Sequence, residues 1–365
     1  MAGWAENEVL ADSGDGLLPS LRRGDAVGEC KTLRQETGPV RRRSVLLNIS
    51  LIAIALAASP GARAAALSSD VPAWLMAYVG EGDGQIAEPV LQRARALYLQ
   101  KSSEGTIRNP CYFAMDATRP NDDKSGGRFY VICESSQSFR AISAGHGSGR
   151  NLEGAANFAN GKECAKNFGN AMDSDLTTGG AYVTAETKKK FKGYYRVSAN
   201  QDAAFLRTFV QFDGEGETAN ARQRAIGGHP AAVLKGVCLR KDPQNPYANG
   251  DGYVPFGQLV DYTGGRSDGC TSWSPADAEQ ILSMVTNNPT TLYIYPAAAD
   301  VKAVARAVAA RQSLPQAGLY WNASCLKQIR SPKYWSKESL EPIIAQYESD
   351  HPAPPKRPTP MCAGQ

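Results

Sequence analysis

The sequence predicts an α+β protein, mainly β, because three patterns follow one another along the chain. Between Cys111 and Pro230, short segments rich in Tyr, Phe, Val and Ile alternate with Gly, Asn and Asp. Helix-spaced apolar residues lie on either side, over Ala87 to Gln100 and Val301 to Gln312. Between them, one capped helix begins at Pro275 and leads into the apolar strand Thr291 to Tyr295. The expected architecture is a β-rich domain with flanking helices and an irregular C-terminal extension.

Of the 365 residues, positions 1–40 are polar and Gly-rich without sustained periodicity. They read as a disordered leader, either a start site placed too far upstream or a cytosolic extension. Positions 41–64 combine Arg41, Arg42 and Arg43, the apolar run Val45 to Ala58, and Ala62-Arg63-Ala64. That order of basic, apolar and small residues is a signal peptide. The run is short for a membrane span, which is the competing reading. Arg42-Arg43-Ser44 also suggests twin-arginine export. The expectation is an exported protein of the periplasm or cell envelope, with no membrane span after cleavage.

Positions 65–110 carry two helical packing segments, Val71 to Tyr78 and Ala87 to Gln100, the second with Val90, Leu91, Ala94, Leu97 and Tyr98 on one stripe. Positions 111–300 form the main expected domain. Arg128 to Glu134 and Phe139 to Ser143 read as consecutive strands joined by a Ser-Ser-Gln turn, and Ala181 to Thr184, Tyr194 to Val197, Thr208 to Phe212 and Arg224 to Ile226 as further strands. The helix that follows has Ser274 as N-cap, Pro275 at its first position and Asp277 at its third, then Ala278, Ile281, Leu282 and Val285. Positions 231–262 are an unusually long polar stretch, a lid or a surface loop. Positions 301–365 hold a last helix and an irregular, disulfide-tethered, Pro-rich tail.

A net charge of +4 and the lack of a basic, aromatic-interleaved patch imply no nucleic-acid partner. Eight cysteines, of which Cys30 precedes the cleavage site, leave seven: Cys111, Cys133, Cys164, Cys238, Cys270, Cys325 and Cys362. In an oxidising compartment an odd count leaves at least one thiol unpaired within the monomer. None of the spacings suits a zinc site, and no cofactor is expected.

Cys270 is the candidate for that free thiol. It lies in the glycine-rich stretch Gly264 to Ser274, just before a helix whose positive end favours a thiolate. Gly269 removes bulk beside the sulfur and lets backbone N–H groups face a developing oxyanion. A turn cysteine in a disulfide is the alternative. Three histidines offer a base. His351 lies in the tail and reads as solvated; His146 and His229 each follow a glycine in a loop after an expected strand. His229 pairs best with the thiol, with a backbone carbonyl near Gly227, Gly228 or the Cys270 loop to orient its ring.

Four ordered motifs, Ala141 to Gly147, Tyr182 to Thr187, Asn220 to His229 and Gly265-Arg266-Ser267-Asp268-Gly269-Cys270, resemble the murein L,D-transpeptidase catalytic-domain-like family. This is the branch of the YkuD-type cysteine transpeptidases with Gly-Arg-Ser-x-Gly-Cys. The resemblance covers roughly Ala114 to Pro296 and implies a YkuD-like β-sandwich catalytic domain acting on peptidoglycan stem peptides. By position, it implies Cys270 as nucleophile, His229 as base, and Gly269 and Cys270 as oxyanion donors. It places Arg266 near the stem-peptide carboxylate, Ser267 in the turn, and His146 in the substrate groove. The segment Thr271 to Ser274 differs from the family's more apolar run, so that Trp273 contacts substrate or packs. A Cys164 to Cys238 bridge between two unusual segments is also expected. The implied activity is an L,D-transpeptidase; the same dyad suits an L,D-carboxypeptidase or amidase, and loss of turnover would leave a peptidoglycan-binding wall protein.

Overall fold

The computed structural model describes residues 71–121, 127–262, 266–355 and 357–363, with only the backbone at Arg266. The leader, the signal peptide with its cleavage site, and Gly264 and Gly265 lie outside the described residues. Among the described residues, no helix is long and apolar enough to cross a membrane.

After the short helix α1 (Ala73–Met76), α2 (Glu88–Ser103) buries Val90, Leu91, Ala94 and Leu97, the predicted stripe. Strands β1 (Cys111–Asp116) and β2 (Phe129–Cys133) are buried along their whole length. The reason is that alternate side chains enter different cores. Tyr112, Ala114, Tyr130 and Ile132 pack with the α2 stripe, while Phe113, Met115, Phe129 and Val131 face the main core. β3 (Ser138–Ile142) completes an antiparallel meander. The short strands β4 (His146–Gly147), β5 (Asn151–Leu152), β6 (Ala156–Asn157) and β7 (Asn167–Gly169) follow.

Two long antiparallel strands, β8 (Gly180–Ser198) and β9 (Gln201–Gly214), form an arm that absorbs three of the predicted strands. Then come β10 (Gly227–Pro230), β11 (Ala232–Lys241), β12 (Tyr253–Asp261), β13 (Arg266–Ser267), β14 (Thr271–Trp273), α3 (Pro275–Val285), β15 (Thr291–Tyr295) and α4 (Ala298–Ala309). α5 (Ala323–Ile329), β16 (Lys333–Trp335) and α6 (Lys337–Asp350) close the chain. The long strands join one ten-stranded mixed sheet of order β14-β10-β9-β8-β15-β1-β2-β3, with β12 on β8 and β11 on β12. The fold is α+β.

Three expectations need correction. Arg224 to Ile226 is a turn, with Ala225 at φ 52°, and the strand starts at Gly227. Positions 231–262 are chiefly a β-hairpin, β11 with β12, whose Phe256 and Gly257 pair with Tyr194 and Tyr195 of β8. The C-terminal extension is also more regular than expected: β16 pairs with β7, and α6 buries Leu340 and Ile344 beside Leu152, Phe158 and Leu176.

The expected Cys164 to Cys238 bridge does not form. Cys111 joins its cross-strand partner Cys133, Cys164 joins Cys325 on α5, and Cys238 joins Cys362. Cys164 lies in the main core against α5, whereas Cys238 sits on β11, where Leu239 bridges Met361 of the tail. Two of the three bridges therefore pin the C-terminal extension. Replacing both Cys164 and Cys325 by Ala should lower the unfolding free energy by about 2–5 kcal/mol, as measured by denaturant titration.

Candidate active site

The site is set by strand register. β10 and β14 are parallel, with Gly228 opposite Thr271, His229 opposite Ser272 and Pro230 opposite Trp273. Successive strand side chains alternate. Gly228, Pro230, Thr271 and Trp273 therefore face the core, and Gly227, His229 and Ser272 face the other way, with Cys270 one residue before Thr271 on that second side. The surroundings of the two glycines agree with this division. A Cβ on Gly228 would lie 2.1 Å from the Trp273 ring, whereas one on Gly227 would lie 2.3 Å from the Phe209 ring. Diagonal neighbours two residues apart on adjacent strands are about 7–8 Å apart at Cβ. By this alternation His229 and Cys270 lie toward the same side of the sheet.

Burial constrains the His229 imidazole. His229 is 5 % exposed. Its Nδ1 is 2.9 Å from the Pro230 carbonyl oxygen. With Nδ1–H assigned as the donor to that carbonyl, Nε2 carries the lone pair. Pro230 itself, one residue along β10, supplies this carbonyl. On β9, Arg207 places Nη2 2.9 Å from Nδ1 and 3.0 Å from Nε2. Burial first, and then the Arg207 charge, push the imidazole down to about 4, partly opposed by the Pro230 carbonyl.

Cys270 is half-buried and is the free cysteine among the described residues. Its thiol donates to the Ala225 carbonyl at 3.5 Å rather than to the histidine. Burial pushes the thiol up to about 11; the Gly227 N–H, Arg207 and Arg224 act against this, and Asp268 adds to it. The expected thiolate-favouring effect of the helix is therefore overridden. β14 separates Cys270 from the N-cap Ser274, which accepts from the Asp277 N–H at 3.1 Å, and the dipole's influence falls off within a turn.

The turn itself is tightly held. The Ser267 hydroxyl donates to the Cys270 carbonyl. Beneath it, the largely buried Arg224 donates to the Leu176 carbonyl at 2.7 Å and to the Thr178 hydroxyl. Gly269 has φ +97°, and an added Cβ would meet the Leu176 carbonyl at 2.9 Å and Arg224 at 3.3 Å. Gly269→Ala should therefore cost stability by about 1–2 kcal/mol from the backbone conformation alone. It should also slow alkylation of Cys270, as read by thermal unfolding and thiol-labelling kinetics.

His146 and Trp273 lie elsewhere than a substrate groove. His146 is 0 % exposed, with Nδ1 2.6 Å from Arg128 Nη2 and Nε2 3.1 Å from the Gly161 carbonyl oxygen. It supports the turn from below, since β4 pairs with β13 through His146 and Arg266. Trp273 is 1 % exposed and packs edge to face on Phe129, with ring centroids 5.2 Å apart. The Arg266 side chain lies outside the described residues.

Residues without a sequence-level role also surround the thiol. Arg207, Tyr262, Asp268 and Arg224 all act electrostatically on this corner. Asp175 is pushed up to about 6 by burial, with Asp268 adding to it. Alternation along β9 was the available signal for Arg207, which lies two residues before Phe209, the ring beside His229. Among the described residues, no group of three or more His, Cys, Asp and Glu is placed to hold a metal ion. In comparisons with protein-family models, characterised proteins and solved structures, the chain shows no significant match.

Proposed function

We propose that the chain is an exported cysteine acyltransferase of the L,D-transpeptidase type, with peptidoglycan stem peptides as its acyl donors. One observation carries this reading: the free thiol among the described residues lies, by strand register, on the same side of the sheet as the buried His229, while the six other described cysteines form disulfides. The four-motif resemblance supplies the substrate class and the YkuD-type fold assignment. The three disulfides support folding in an oxidising compartment, here the periplasm or cell envelope.

In this mechanism the Cys270 sulfur attacks the carbonyl carbon of the scissile peptide bond. His229 Nε2 takes the thiol proton and returns it to the leaving amine as the C–N bond breaks. Backbone N–H groups of Gly269 and Cys270 stabilise the oxyanion between those steps. The resulting thioester is resolved by an acceptor amine, which forms a new amide and frees the thiol.

The test is intact mass spectrometry of the chain after incubation with a stem tetrapeptide, followed by peptide mapping and product analysis with and without an acceptor amine. An acyl adduct on Cys270 and an amine-dependent product are expected. A disulfide-bonded or unmodified Cys270 overturns the proposal, and hydrolysis unaffected by amine identifies a carboxypeptidase.

A further inference from the structure

The β8–β9 arm carries an apolar line on the face turned away from the dyad. Arg207 rests against the His229 ring, so alternation along β9 sends Leu206 to the other face. Leu206 is directly opposite Phe191 of β8, and residues so paired share a face. From the loop 242–252, between β11 and β12, the Tyr247 ring stacks on Phe191 with centroids 4.1 Å apart and planes at 9°. Leu206 is 38 % exposed and Tyr247 40 %. Single exposed apolar side chains are ordinary, whereas a contiguous line of them marks a contact surface.

The loop holds that ring in place. Asn245 Oδ1 accepts from the Tyr247 N–H at 3.0 Å and from the Tyr194 hydroxyl at 3.1 Å, while its Nδ2 donates to Asp242 at 3.0 Å. Tyr194 in turn sets its ring edge-on to Phe191, at 5.3 Å between centroids. Asn249 Oδ1 accepts from the N–H groups of Asp251 and Tyr253 and closes the loop. Parallel stacking covers one face of Tyr247 and leaves the other outward. Around it, no single sign of charge dominates. Arg196 and Arg240 both pair with Asp202 at 2.5 Å, and Lys241 shares the loop with Asp242 and Asp251. Gln244 and Asn249 add exposed neutral amides. A flat ring face rimmed by amides suits an uncharged ligand with one flat, C–H-rich face and hydrogen-bonding groups at its edge. A pyranose ring has that form.

Resting on the acyltransferase reading for the choice of polymer, we propose that Tyr247, stacked on Phe191 and continued by Leu206, is a binding platform for the glycan strand of peptidoglycan, a chain of β-linked N-acetylhexosamines. One sugar ring lies on the outer face of Tyr247, and its acetamido group meets the loop amides. The polymer is thus held at a second place, apart from the dyad. Binding there raises the effective concentration of the stem peptides that the same strand carries.

The probe is a neutral, peptide-free tetrasaccharide of β-linked N-acetylhexosamines, titrated by calorimetry and NMR into the full chain carrying Cys270→Ala. Binding should persist at raised salt. Tyr247→Ala should weaken it about tenfold, the size of one ring-stacking contact. Tyr247→Phe should retain it, and Leu206→Ser, which leaves the loop intact, should weaken it too. The Tyr247 ring protons should show cross-relaxation with sugar ring protons, which a merely structural Tyr247 would not produce. In the native chain, Tyr247→Ala should slow acylation of Cys270 by the polymer and leave acylation by a free stem tetrapeptide unchanged. Absence of binding, or an affinity untouched by both Tyr247→Ala and Leu206→Ser, overturns the platform. So does binding that salt or Lys189→Gln abolishes, since Lys189 lies two residues from Phe191 on the same face and would then mark an anion site. Tetrasaccharide binding without any stem-peptide adduct on Cys270 sustains the platform and ends the acyltransferase reading.

Discussion

A chain carrying Cys270→Ala should form no covalent adduct with a stem peptide or a carbapenem, where the native chain gains one at that residue. Among the described residues Cys270 has no competitor, because Cys111, Cys133, Cys164, Cys238, Cys325 and Cys362 are consumed in disulfides. The substitution removes a half-buried sulfur whose described hydrogen bond reaches the Ala225 carbonyl at 3.5 Å, so the fold should persist, as checked by circular dichroism. The native thiol should also be a slow nucleophile without substrate. Since burial pushes it up to about 11, the thiolate is the minor form at neutral pH. Its alkylation rate should climb roughly tenfold per pH unit through the neutral and mildly alkaline range. A rate that levels off near an ordinary cysteine value would contradict the buried geometry, and an adduct that persists in Cys270→Ala would remove the nucleophile assignment.

His229→Gln should slow acylation of Cys270 by about 10²–10⁴-fold, the usual contribution of a positioned general base. Glutamine is the informative replacement. Its amide can still donate to the Pro230 carbonyl, which His229 Nδ1 meets at 2.9 Å, but it cannot accept and return a proton. Single-turnover mass spectrometry measures the rate, and an unchanged rate would assign the base elsewhere. The resting dyad is poorly matched. With the imidazole near 4 and the thiol near 11, forming the ion pair from the neutral groups costs on the order of 10 kcal/mol before their mutual attraction. Below about pH 4 the imidazole is protonated and the base is lost. The acid limb of kcat/KM should accordingly lie well below the ordinary histidine range, because kcat/KM reports the free enzyme.

Much of the framework was legible in the sequence because it depends on local chemistry. The α2 stripe from Val90 to Leu97 and the Ser274-Pro275-Asp277 start of α3 follow from helical spacing and capping. The free thiol followed from cysteine parity once Cys30 was set aside, and among the described residues Cys270 is the unpaired cysteine. The positions 231–262 were harder. Their polar composition reflects an arm only half-buried along most of its length, so a hairpin carried the signature of a loop. The final segment misled for a similar reason: its prolines cluster after His351, beyond α6, while the apolar residues that dock α6 are sparse.

What the sequence by itself determined is the inventory: one odd thiol, two glycine-preceded histidines, a capped helix and an α+β pattern of elements. Tertiary structure decided which of these meet. Parallel pairing of β10 with β14 sends His229 to the side of Cys270 and Trp273 to the core, and a shift by one residue would have exchanged them. His146 has the same local setting as His229, yet the fold buries it completely against Arg128. Disulfide partners and the position of Arg207 depend on contacts between residues far apart in the chain, which no local periodicity encodes. The physical reason is that propensity acts over a few neighbouring residues, while register and packing set the distances at which a proton or a charge can act.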